Sequence, residues 1–405
     1  MRKVPSYVIV IGFLILIIAG VLLVKTRIGD IRPAFLPPSK KITEVAEKQK
    51  VGEPVQFPLK PPEGFQIGVF AKDLGAVRDL EFTSGGTLLA SITSKGTVVT
   101  LSDKNDDGKA DEIKEILKNL EKPHGLAFYG GKLFVAQESG VLRYNWNEQT
   151  LTATLDKKLF DLPSGGRHFT RSIAFGKGGQ MFVSIGSTCD VCFEKHQFLA
   201  AVIVSDSEGA NPRLFAKGLR NSVFITINPK TDELWGTEMG RDFLGDNLPP
   251  DEINIIRDDG DYGWPLCYGN RVHDTNFDKK VYIQIVPQPP CGETEPPVYE
   301  IPAHSAPLGL TFIDSQQFPK DWQGDLLVSY HGSWNRSTPT GYKIVRMDVK
   351  GNTIKGDSDF LTGFLGSATV PGGALGRPVD LIFDKAGSLY ISDDKAGVVY
   401  KVTKK

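Results

Sequence analysis

Residues 77–91 read VRDLEFTSGGTLLAS: an apolar arm, a Gly-Gly turn and a second apolar arm. Apolar arms around a glycine turn describe a pair of antiparallel strands. The phrase returns as PHGLAFYGGKLFVAQ from Pro123, RSIAFGKGGQMFVSIG from Arg171 and NSVFITINPKTDELWGTE from Asn221. It returns again as LGLTFIDSQQFPKDWQGDLLVSY from Leu308 and PVDLIFDKAGSLYISDD from Pro378. Further strands such as GTVVTLSD, GVLRYNWN, AAVIVSD, YKIVRMDV and GVVYKVT lie between the copies. The first four copies start about 46–50 residues apart, the period of a four-stranded propeller blade. Six copies predict an all-β, six-bladed β-propeller with four-stranded antiparallel blades. The step of about 87 residues between the fourth and fifth copies must hold a large insertion.

Composition agrees and excludes some functions. The chain has 405 residues with 43 Gly and 26 Pro, which favours many turns and short strands over helices. Its formal net charge of -1 offers no global field for nucleic acid, which is not expected as a partner.

At the N-terminus, Arg2 and Lys3 precede an unbroken apolar run from Tyr7 to Val24, YVIVIGFLILIIAGVLLV. As a helix it would rise about 27 Å, close to the hydrocarbon thickness of a bilayer. No small-residue cleavage site follows near Lys25, Thr26 and Arg27, so the run is read as an uncleaved transmembrane helix. The expected domains are therefore an anchor over 1–25, a Pro- and Lys-rich linker over 26–60, and a propeller over 61–405 with regular structure beginning near Phe65.

Cys189 and Cys192 form a C-x-x-C, while Cys267 and Cys291 stand apart. Two bridges allow three pairings; 189–192 with 267–291 is favoured because the second pair brackets one insertion. A zinc ribbon would need a second C-x-x-C, and covalent haem would need His where Phe193 stands. Disulfides fit a compartment outside the cytoplasm.

A propeller supplies a scaffold, so chemistry must come from the loops at its central mouth. GGRHFTR, residues 165–171, places His168 before the third inner strand, where an imidazole can serve as a general base. Gly218-Leu219-Arg220-Asn221 occupies the same place before the fourth inner strand and offers donors to anionic or carbonyl oxygens. Glu238-Met239-Gly240-Arg241-Asp242, then PDEIN over 250–254 and GDYGWP over 260–265, form a carboxylate- and carbonyl-rich region suited to Ca²⁺. A separate loop carries Asp103, Asn105, Asp107, Lys109 and Asp111, with oxygen ligands at positions 1, 3 and 5 and Gly108 at position 6 of a calcium-loop pattern. Lys114 stands where an EF-hand needs Glu, so a structural Ca²⁺ outside any EF-hand is the expectation there.

These segments, in this order and spacing, resemble the glucose/sorbosone dehydrogenase family of soluble aldose sugar dehydrogenases, which use pyrroloquinoline quinone and calcium. The resemblance runs from about residue 60 to the C-terminus. It implies that His168 is the base removing the sugar C1 hydroxyl proton and that Arg220 lies beside the quinone carbonyl receiving hydride. Asn221 is then a cofactor contact, and Gly240 and Arg241 offer backbone carbonyls to the cofactor's calcium. Glu252 and Tyr262 match a second, structural calcium site. The family's aspartate before the base is Arg167 here, and its substrate-contacting glutamine falls near Pro123 and His124. His304 and His331 fall near a cofactor-side threonine and lysine, and only Arg377 remains of two late arginines. PHGLAF, HGSWNRS and GRPVD are similar to the sorbosone-type branch.

The resemblance and the apolar start together imply a membrane-anchored enzyme with its propeller extracytoplasmic, periplasmic or at the cell surface. Its partners would be a sugar and a separate electron acceptor, either a carrier protein or a quinone, since the chain lacks a haem motif. Two non-redox readings compete: a calcium-dependent lactonase-like hydrolase, and a binding or scaffold propeller without catalysis.

Overall fold

In the computed structural model the described residues are 32–35, 59–282, 289–365 and 373–405. They form six four-stranded antiparallel blades, one of which carries a short additional edge strand. The first blade contains Val77–Phe82, Leu88–Ile92, Thr97–Ser102 and Glu112–Leu117, in sequence order from the inside outward. The second to fifth begin with the inner strands Leu126–Tyr129, Arg171–Phe175, Ile225–Ile227 and Pro307–Phe312. The sixth is built from Pro378–Phe383, Leu389–Asp393 and Val398–Lys404, and its outermost strand is Phe65–Ala71 from the other end of the chain.

That last pairing closes the ring. Phe65 sits opposite Lys404 and Val69 opposite Tyr400, so the chain's two ends share one ladder. The Phe65 ring packs 4.7 Å from Phe318 and 6.0 Å from Phe360, tying the closure to the fifth blade. The first strand among the described residues is Phe65–Ala71, and it belongs to the last blade.

Two inner strands show why the blades repeat a serine. Register slips between Val77 and Leu80, and between Pro378 and Leu381. The amides of Asp79 and Asp380 then donate to Ser91 Oγ and Ser392 Oγ. Each such bond offsets an otherwise orphaned buried amide and contributes about 1 kcal/mol net.

The insertion lies in the fourth blade, between Asp251–Ile256 and Tyr299–Ile301. Gly260–Asp261 pairs in parallel with Arg213–Lys217, so the insertion climbs the outer edge of the third blade towards the mouth. Both expected disulfides are present, Cys189–Cys192 and Cys267–Cys291, the second inside this insertion.

The expected membrane-anchored, extracytoplasmic location is corrected here. No helix among the described residues is long and apolar enough to cross a membrane. The helix described near that end, Arg32–Phe35, has four residues and rises about 6 Å against a hydrocarbon layer of about 30 Å. The run over 7–24 on which the expectation rested, and most of the 26–60 linker, lie outside the described residues.

Candidate active site

In an antiparallel blade the start of the innermost strand and the end of the second strand lie at the same end. Loops from both places therefore gather at one mouth of the ring. His168, Arg220, Asn221, His304 and Arg377 precede inner strands, while His331 and Gly240 follow second strands. The Asp103–Asp111 loop joins a third strand to a fourth and so lies on the opposite face.

The mouth is laced by short bonds. His168 N donates to Ser187 O at 3.2 Å, and Ser187 N donates to Arg220 O at 2.8 Å. Gly186 lies between the two predicted site loops, since a Cβ there would meet His168 Cβ at 2.6 Å and Asn221 Oδ1 at 2.8 Å. His168 Nδ1 lies 2.8 Å from Ser187 Oγ. Burial, then Arg220 and Arg167, push the His168 imidazole down to about 2, so the ring is neutral.

Arg220, only 3% exposed, is held from three sides. Its Nε donates to Asp190 O at 2.9 Å, Nη1 to Met239 O at 3.1 Å and Nη2 to Asp190 Oδ1 at 2.8 Å. Asp242 Oδ2 lies 3.7 Å from the same Nη2 and accepts from Arg167 Nη2 at 2.8 Å. Arg167 also stands 5.6 Å over the Trp334 ring. Asn335 Nδ2 donates to Asp242 Oδ1 at 2.8 Å, linking this network to the HGSWNRS loop.

That loop begins at His331, which belongs to a second cluster across the fifth, sixth and first blades. His331 Nε2 meets Asp394 Oδ1 at 2.8 Å, and Arg78 Nη1 meets Asp394 Oδ2 at 2.7 Å. Arg377 Nε donates to His331 O at 3.0 Å and Nη2 to Gly332 O. Burial, then Arg377, push His331 down to about 4. Burial opposes ionisation of Asp394, yet His331, Arg78 and Arg377 together hold it below the usual carboxylate range. His304, with φ at +67°, donates Nε2–H to Gly245 O at 2.8 Å.

The neighbouring Asp393 is sealed in and behaves oppositely. Burial, with Asp394 adding to it, raises its carboxyl to about 7, despite amide donors from Ala396, Arg377 and Lys395. A raised folded pKa means a stability contribution present below about 4 and lost as pH rises through about 7. Asp393→Asn keeps the amide acceptor without the charge, so the variant loses less stability between pH 4 and 7. The difference is up to about 1.4 kcal/mol per pH unit in that window. Urea denaturation at pH 4.5 and pH 7.5 measures it; parallel losses in parent and variant would contradict the assignment.

Gly240, Arg241, Glu252 and Tyr262, all candidate metal residues, line one small cavity of about 30 Å³ together with Arg220, Glu238 and Trp264. It has room for about one water-sized occupant. The carbonyl oxygens of Gly240 and Arg241 accept no hydrogen bond among the described residues. Gly240 is set by its amide, which donates to Asp251 Oδ1 at 2.9 Å. Glu252 is less available: Oε1 accepts from Gly269 N and Oε2 from Asn254 Nδ2. The Tyr262 hydroxyl is committed to Ile255 O at 2.5 Å. In the Asp103–Asp111 loop the side-chain oxygens answer the loop's own groups. Asp103 accepts from Asp107 N and Gly108 N, Asn105 from Asp107 N, Asp107 from Lys109 N, and Asp111 from Lys104 N.

Several working residues escaped the sequence reading, Ser187, Asp190, Asp394 and Arg78, while Glu238 and Asp242 figure in it only as part of a calcium-suited bend. Glu238 receives Asn221 N at 2.8 Å and the Ser222 hydroxyl at 2.6 Å, fixing the Arg-Asn turn from below. A signal existed for Asp190, a carboxylate enclosed by C-x-x-C directly after a blade strand. None existed for Arg78 or Asp394, which read as ordinary strand-end charges.

The molecule is thus a six-bladed β-propeller whose mouth gathers arginines, histidines and metal-competent carbonyls. The chain belongs to the TrAA12-like family, whose family model matches residues 59–405. It is 31% identical over 372 residues to an uncharacterized protein of Borreliella burgdorferi, covering 86% of this chain and 92% of that one. It is 23% identical to a pyrroloquinoline quinone-dependent pyranose dehydrogenase of Coprinopsis cinerea, covering 85% of this chain. The match takes in about half of that longer protein, 54%. Among solved structures, the calcium structure of the Trichoderma reesei AA12 enzyme is similar with TM-score 0.74 and 21% identity, covering 87% of this chain and 99% of that one. The holo pyrroloquinoline quinone domain of the Coprinopsis cinerea enzyme gives TM-score 0.72 and 20% identity over 87% of this chain and 98% of that one.

Proposed function

We propose that the protein oxidises the C1 hydroxyl of an aldose-type sugar to the lactone, or a related aldehyde, using pyrroloquinoline quinone and Ca²⁺. The observation that carries this reading is the meeting of a neutral imidazole, His168, and a buried guanidinium, Arg220, on loops joined through Ser187.

The donor set fits a planar polyanion. Arg167, Arg220 and Arg377 stand at the mouth with His168, His304 and His331. Asn221 Oδ1 is buried without a hydrogen-bond partner among the described residues, which leaves one acceptor for a donor group of a bound ligand. When bound, the quinone supplies a two-electron hydride acceptor and calcium a Lewis acid that polarises it. His168 accepts the C1 hydroxyl proton at Nε2. The Arg220 guanidinium stabilises negative charge developing on a nearby oxygen. Asn221, His304, His331 and Arg377 orient the bound group, and the Gly240 and Arg241 carbonyls hold the calcium. Glu252 and Tyr262 then shape the wall of that cavity. Electrons leave to a separate acceptor.

Purified protein is titrated with the quinone with and without calcium, and dye reduction is followed with a panel of aldoses. Binding that depends on calcium and is reversed by a chelator, with turnover of at least one sugar, is the expected result. Absence of quinone binding in the presence of calcium would overturn the proposal.

A further inference from the structure

The hairpin Cys189–Asp190–Val191–Cys192 reaches both proposed catalytic residues. Ser187 Oγ donates its proton to Cys189 O at 2.7 Å. A hydroxyl has one proton and a carbonyl can only accept. The 2.8 Å contact between Ser187 Oγ and His168 Nδ1 must therefore be an imidazole N–H donating to the hydroxyl oxygen. With its proton on Nδ1, a neutral ring keeps its lone pair on Nε2.

One residue further on, Asp190 collects donors from three elements. Its carbonyl accepts Arg220 Nε at 2.9 Å and Trp264 Nε1 at 3.3 Å. Its Oδ1 accepts Arg220 Nη2 at 2.8 Å and Asp242 N at 2.9 Å. Yet residues 189–192 belong to no strand or helix and make no backbone–backbone hydrogen bond among the described residues. Besides those bonds, they are restrained by the Cys189–Cys192 bridge, with Glu194 clamping Thr188 N at 2.6 Å and its hydroxyl at 2.8 Å.

We infer that this disulfide-closed hairpin is the positioning element of the site, setting the His168 tautomer through Ser187 and the Arg220 guanidinium through Asp190. The inference rests on the proposed roles of His168 and Arg220. The hydroxyl selects a tautomer without adding a negative charge, so it orients the base while leaving the ring neutral among Arg167, Arg171 and Arg220.

The first test needs no cofactor. Protein labelled with ¹⁵N-histidine is examined by NMR, with His168 assigned by difference from His168→Gln. The parent shows His168 protonated at Nδ1. Ser187→Ala and the paired Cys189→Ser, Cys192→Ser variant shift it to a tautomer mixture, whereas Ser187→Thr and the control pair Cys267→Ser, Cys291→Ser do not. In the loaded enzyme Ser187→Ala lowers kcat by about 10- to 100-fold with KM for the sugar nearly unchanged, and Ser187→Thr restores it. An Nε2–H tautomer in the parent, or a tautomer unmoved in both Ser187→Ala and the 189/192 pair, overturns the inference. If the tautomer responds as described but His168→Ala turns over normally, the positioning stands and the catalytic reading falls.

Discussion

His168→Ala leaves a folded propeller that still binds the quinone but oxidises sugar about 10²- to 10⁴-fold more slowly, the usual worth of a positioned general base. The ring bonds to Ser187 Oγ, and its loss removes one imidazole without uncovering a charge. Stability therefore changes little beside the rate. Quinone titration and stopped-flow dye reduction on the same preparation separate the two effects. A variant with parental turnover would remove the base from His168. A variant that no longer binds the quinone would make His168 a cofactor ligand.

Arg220→Met should be the most damaging single change in the mouth. The guanidinium satisfies Asp190 through two acceptors and reaches Met239 O, so methionine leaves the Asp190 and Asp242 carboxylates partly buried and short of a partner. Breaking such a pair costs about 3–5 kcal/mol. The same change removes the donor facing developing negative charge, worth about 10²–10³ in kcat. Arg220→Lys keeps the charge but cannot reproduce the fork, so it recovers most of the stability and little of the rate. Urea denaturation of both variants, with turnover measured where they remain folded, is the check. A loss of stability under about 1 kcal/mol in Arg220→Met would show that Arg167 alone satisfies both acids.

The two predictions differ because the residues are held differently. His168 hangs from one hydroxyl, whereas Arg220 is the keystone of contacts reaching the third blade's disulfide hairpin and the fourth blade's Met239–Asp242 bend. Arg167 makes a related point. From sequence it was a departure from a family aspartate; in the fold it joins Asp242 and stacks on Trp334. If His168 is the base, a positive charge stands beside it, and Ser187 is the group placed to orient its ring.

The blade count, the strand pairs, the insertion and both disulfide pairings were legible along the chain. Alternation of apolar residues around glycine turns is a local property, and six repetitions of it leave a ring as the natural way to bury every blade. The strand donated by Phe65–Ala71 to the last blade was not legible, because its partner is more than 300 residues away and FQIGVFA reads the same in any blade. The site divided along the same line. His168, Arg220 and the Gly240 bend stand in recognisable local phrases at strand entrances. Ser187, Asp190, Asp394 and Arg78 acquire meaning only from the atoms that the closed ring brings against them. Hydrogen-bond donors and acceptors are paired across blades, through space, and no spacing along a single strand encodes which carboxylate will face which guanidinium.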